Sequence, residues 1–129
     1  MKNGTYYITK KYQGDFSSAL TSMVDSLNQE GFGILTQIDV QETLEKKLNI
    51  DYPKYMILGA CNPPNAYKAL QAEKEIGLLL PCNVIIYEEN GSTFISIMKP
   101  TAALTLSSSM EIAKIAGVVE AKLVNALNM

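Results

Sequence analysis

The chain contains no histidine and no arginine, and only two cysteines in 129 residues. Without histidine there is no Ser-His-Asp or Cys-His nucleophile pair and no His-ligated zinc, copper or haem; without arginine there is no bidentate guanidinium clamp for phosphate or carboxylate. Any catalysis would fall to Cys, Lys, Asp, Glu or Tyr. Neither GxGxxG nor GxxxxGK[ST] occurs, so a nucleotide would find no standard phosphate cradle, and no cofactor is expected. Two cysteines in a chain long enough to build its own core are not a disulfide scaffold, and reduced thiols are expected. Two thiolates also fall short of the four ligands of a closed zinc site, so no metal is expected.

Charge is sparse. Charged residues make up 19% of the chain against 47% apolar, and the formal net charge is −2. The eleven cations, all lysine, are scattered rather than clustered, which argues against a nucleic-acid partner. The longest apolar runs, Ile76 to Pro81 and Val84 to Tyr87, are far short of the ~20 residues of a spanning helix, and MKNGTYYITK has no apolar signal-peptide segment. A cytoplasmic protein with no membrane association is expected, and the length suits a single domain over residues 1–129.

Thr5 to Tyr12, rich in β-branched and aromatic residues, reads as a strand ended by Gly14. Asp15 can cap a helix in which Phe16, Ala19, Leu20, Met23, Val24 and Leu27 recur at helical spacing until Gly31 stops it. Phe32 to Val40 alternates as a strand with Phe32, Ile34, Thr36, Ile38 and Val40 on one face. Asp39 and Glu42 form a capping-box pattern for a short helix ending near Asn49. Lys54 to Ala60, apolar on both faces, reads as a central strand covered on both sides. Asn62 then caps a helix with Pro63 at its first position, running through Ile76 to Gly77. Leu78 to Tyr87 reads as extended, with pairing delayed past Pro81. Asn90-Gly91 makes a hairpin turn to a partner strand over Ser92 to Met98. Pro100 to Ser107 reads as a loop, and Ser108 with Glu111 caps a last helix carrying Ile112, Ala116, Val119, Leu123 and Ala126.

The chain's chemistry concentrates between Leu58 and Tyr87, where Cys61-Asn62 precedes a proline and Cys82-Asn83 follows one. Each cysteine sits at a junction between regular elements, where a turn can present its sulfur. The helix start after Cys61 would lower a thiol pKa while burial would raise it, and burial is expected to win modestly, leaving a slow structural thiol. Asn62 and Asn83 either satisfy local backbone groups or point their amides into a shared cleft. The candidate ligand-binding residues are therefore Cys61, Asn62, Cys82 and Asn83, with Cys61 and Cys82 the candidates for any catalysis.

GFGILTQIDV with the ETLEKKL helix behind it, then YMILGACNPPNAYKAL, then IGLLLPCNVIIYE together resemble the bacterial and archaeal family of unknown function numbered 302. The resemblance implies a small α+β domain, often dimeric, with no established activity. It also implies an acidic residue before the proline that follows the last strand, where this chain has Lys99 in Met98-Lys99-Pro100. The expected architecture is α+β: a twisted, mostly antiparallel five-strand sheet, the first and last long helices on one face and the Pro63 to Ile76 helix elsewhere. The expected function is that of a homodimeric module binding a small molecule or a protein partner at the two Cys-Asn pairs. The rival is a thiol enzyme or persulfide carrier using Cys61 or Cys82, against which the lack of a CxxC motif counts.

Overall fold

The computed structural model describes residues 1–129. Six strands form one sheet: β1 (Lys2–Asn3), β2 (Tyr7–Tyr12), β3 (Gly33–Asp39), β4 (Tyr55–Cys61), β5 (Cys82–Glu89) and β6 (Ser92–Met98). Their order is β1-β2-β6-β5-β4-β3 and every pairing is antiparallel. The α+β class holds, with six strands in place of five because two residues at the N-terminus, too few to show a periodicity, pair with β2. The hairpin at the centre of the sheet follows from Asn90 and Gly91, whose φ values of 52° and 78° are those a tight primed turn requires.

Three helices cover one face: α1 (Phe16–Gln29), α3 (Pro63–Ala72) and α5 (Met110–Leu127). Met23 and Leu27 of α1 and Ile112 and Leu123 of α5 meet Leu58, Val84, Ile86, Ile95 and Ile97 of the sheet, all at most 1% exposed. Each such side chain contributes about 1.5–3 kcal/mol by leaving water. The α3 helix packs against α5 and belongs to this layer, contrary to the separate position expected for it. Ala69, at 2% exposure, is the small residue that permits the approach. A short helix, α2 (Val40–Leu48), has no buried residue and lies beside β4. No helix is long and apolar enough to cross a membrane.

Several boundaries differ from the sequence reading. The β3 register skips from Ile34 to Thr36, so Leu35 bulges out and the alternation inverts: Ile34 points to the helices while Thr36 and Ile38 face away. The helix after Asn62 ends at Ala72, where Glu73 is extended, and a 3₁₀ segment covers Lys74–Leu79. Leu78 and Leu79 are thus not extended, and β5 begins only after Pro81, which has no N–H to pair. The stretch after Pro100 is not a loop throughout: α4 (Pro100–Ala103) and a 3₁₀ turn (Leu104–Leu106) bury Pro100 and Leu104. Ser109, not Ser108, caps α5, accepting from the Ile112 N–H at 3.3 Å. The face of β4 opposite the helices is open rather than covered, and Tyr55 and Ile57 on it are half-buried.

Candidate functional site

Asn62 does double duty at the junction of β4 and α3. Its Oδ1 accepts from the Asn65 backbone N–H at 3.4 Å and from the Asn65 side-chain amide at 2.9 Å, capping α3 as expected. Its Nδ2 donates to the carbonyls of Glu30 and Gly31 at 3.3 and 3.4 Å, fastening the end of α1 to the start of α3. Gly31 suits this contact twice over, because its φ is +84° and an added Cβ would lie 3.1 Å from that nitrogen. The amide is committed to protein partners and is 8% exposed.

Behind this junction α3, α5, the 3₁₀ segment and the adjoining ends of β4 and β5 border a cavity of about 270 Å³ that opens to solvent past Leu35 and Leu70. Twelve of its sixteen lining residues are hydrophobic. Cys61, Asn62 and Cys82 all contribute to it, and α3 and α5 supply Ala66, Ala69, Ile115 and Val119. Asn83 does not: it is exposed, opposite Gly59 on the sheet, and lines no part of this cavity. The structure thus brings three of the four sequence-selected residues together and separates the fourth, since alternation along β5 turns Cys82 and Asn83 to opposite faces. The residues that sequence reasoning passed over are Asn65 and the small side chains of α3. An Asn three positions after an N-cap, followed by two alanines on one helical face, is the signal that could have marked them.

Both cysteines are free thiols, Cys61 half-buried and Cys82 buried. Burial, helped by the neighbouring Cys61, pushes the Cys82 thiol up to about 11 from an ordinary value of 9.0. Cys82 is therefore neutral at physiological pH, the opposite of a reactive thiolate. Pro81 lies over Gly59, where a Cβ would come within 2.8 Å of the proline Cγ; a glycine there lets the proline ring sit down on β4. No group of three or more Cys, Asp or Glu side chains is placed to hold a metal ion. Lys99, in the position for which an acidic residue was expected, donates from Nζ to the Gly4 carbonyl at 2.9 Å and ties the end of β6 to the N-terminal segment.

A helical layer on one face of an antiparallel sheet, with an apolar cavity where the third helix leaves the sheet, defines the molecule as an α+β domain. Residues 8–129 match the family "Domain of unknown function DUF302", and the chain belongs to that family. The crystal structure of an uncharacterized conserved protein DUF302 from Bacillus stearothermophilus is similar to it, with a TM-score of 0.90 and 32% sequence identity. The match covers 97% of this chain and 98% of that one. None of the curated proteins shows significant similarity to the chain.

Proposed function

We propose that the protein is a small cytoplasmic, homodimeric binding module whose ligand is an apolar molecule held in the cavity bounded by Cys61, Asn62 and Cys82. The observation that carries this reading is the cavity itself, some 270 Å³ of almost wholly apolar space beside two thiols and a committed amide. Such a volume binds by shape and apolar contact rather than by charge. The persulfide-carrier reading is weaker, because Cys82 is held as a neutral thiol and no cation lies among the cavity's lining residues to activate either sulfur. Asn83 on the other face has no part in the site. The apolar side chains Leu35 and Leu70, at the cavity and 65% and 42% exposed, are the surface on which a second subunit would close.

The test uses benzene, a neutral probe that enters dry apolar cavities. Titration followed by methyl NMR should shift Ala66, Ala69 and Val119 saturably, and benzene should slow alkylation of Cys61. Ala66→Phe, which fills the cavity from a half-buried position, should abolish both effects while the protein stays folded. Unchanged methyl resonances in the wild type would end this assignment.

A further inference from the structure

The face of the sheet away from the helices carries a chemical gradient along one row of side chains. Residues directly opposed on neighbouring strands point to the same face. The register sets Lys2 opposite Thr9, Thr9 opposite Ser96, Ser96 opposite Ile85, Ile85 opposite Ile57 and Ile57 opposite Ile38. One row thus crosses all six strands from an ammonium group, through two hydroxyls, to three isoleucines. Thr9 and Ser96 hydrogen-bond to each other and are only 8% and 6% exposed, although no helix covers them.

Aromatic walls account for that burial. On one side Tyr55, Tyr87 and Phe94 occupy matched positions on three strands and stack with centroids 5.6 and 5.4 Å apart. On the other stands Tyr7, with Tyr6 edge-on at 5.0 Å. The trough between them has a volume of about 870 Å³. Lys2 and Lys11 line it from β1 and β2, and Glu88 and Glu89 line it from the hairpin end of β5, while Ile57 and Ile38 continue the row past its lining. Glu89 is four residues from Ile85, about 13 Å along the strand.

We propose that this row binds a long-chain carboxylate, its head at Lys2 and Lys11 in the trough and its tail running from Ile85 at the trough onto Ile57 and Ile38 beyond it. The charge matches along the row, where Lys2 stands at one end and no carboxylate occupies any of the six positions. The length matches too: five steps between strands of about 4.8 Å make about 24 Å. A carboxylate of about 16 to 18 carbons, advancing about 1.3 Å per bond, spans most of that row. A cationic ligand is disfavoured, since Tyr87 and its two stacking partners turn their ring faces toward one another instead of outward.

The probe is cis-parinaric acid, an 18-carbon carboxylate whose fluorescence rises on binding. One equivalent should bind saturably and be displaced by oleate, with oleyl alcohol at least about tenfold weaker as a competitor because it lacks the charge. The double variant Lys2→Glu, Lys11→Glu should weaken binding by at least about tenfold, and so should Ile38→Asp, at a side chain already 48% exposed whose replacement spares the core. Ala66→Phe, which blocks only the cavity beside the cysteines, should leave parinarate affinity unchanged; loss of binding in that variant alone would place the acid in the cavity and overturn the assignment. Equal competition by the alcohol, insensitivity to both the lysine and the Ile38 variants, or pelleting with anionic phospholipid vesicles in place of one-to-one binding would each overturn it as well.

Discussion

Cys82 shows how one buried group links the candidate cavity to stability. Its thiol is raised to about 11 in the fold, chiefly by burial, against 9.0 ordinarily. As pH rises past 9 the unfolded chain loses this proton while the folded protein keeps it, so the unfolded state is favoured progressively until the folded thiol also ionises near 11. Stability present below pH 9 is therefore lost across the window from 9 to 11, by at most about 3 kcal/mol for a shift of this size. Tyr55 and Tyr87 are raised as well, each first by burial, and act in the same direction. Comparison with Cys82→Ala isolates the thiol: denaturant melts at intervals from pH 8 to 11 should show a shallower decline in the variant. Parallel slopes would locate the ionisation elsewhere. Alkylation of Cys82 in the native wild type should likewise remain slow until above pH 10.

At the scale of elements, Asn62 is the joint between α1 and α3. Asn62→Ala removes the cap and both tethers to Glu30 and Gly31, and should lower stability by about 1–2 kcal/mol, more than a lone cap is ordinarily worth. Equilibrium urea unfolding measures it, and an unchanged midpoint would show that the tethers contribute nothing net. Much of this layer is legible in the sequence, because its signals are local. Asp15, Asp39 and Asn62 announce helix starts by a side-chain oxygen three residues before a free N–H, and Asn90-Gly91 announces the hairpin by its tolerance of positive φ. What the sequence hides is decided at a distance. The bulge at Leu35 depends on pairing with β4, and the break at Glu73 lets Ile76 turn inward to 1% exposure where a continuous helix would have carried on past it. The placement of α3 against α5 likewise rests on Ala69 meeting residues some fifty positions away. The Cys61–Cys82 neighbourhood stands out by composition, whereas Asn83 joins it only through a repeated dipeptide, and a repeat of letters says nothing about which face of a strand each letter occupies.

For the whole molecule, the two faces of the sheet have different fates. One is sealed by a single cluster of 22 buried apolar residues, while the other leaves Tyr55, Ile57 and Ile85 half-exposed. With Leu35, Leu78 and Leu106 also 65% or more exposed, the monomer presents more apolar surface than it hides comfortably. Light scattering at tens of micromolar should give twice the chain mass of 14.1 kDa, and a value at the chain mass itself would refute the dimer.

The order of the strands also sets a timetable for synthesis. From β3 to β6 each strand lies beside its successor, so that four of the six strands can zip up as they leave the ribosome. The second strand has only the two-residue β1 beside it at first, because its other partner is β6, and the Thr9–Ser96 contact spans 87 residues. At about 5–20 residues per second, β2 waits roughly 4 to 17 s before that partner exists. During this interval the nascent chain carries a strand with one edge unpaired, and Lys10 and Lys11 in it are the kind of charges that discourage pairing with a stranger. Lys10 later turns its ammonium to the carbonyls of Leu127 and Met129, so the group that guards the early strand ends by anchoring the last helix to it.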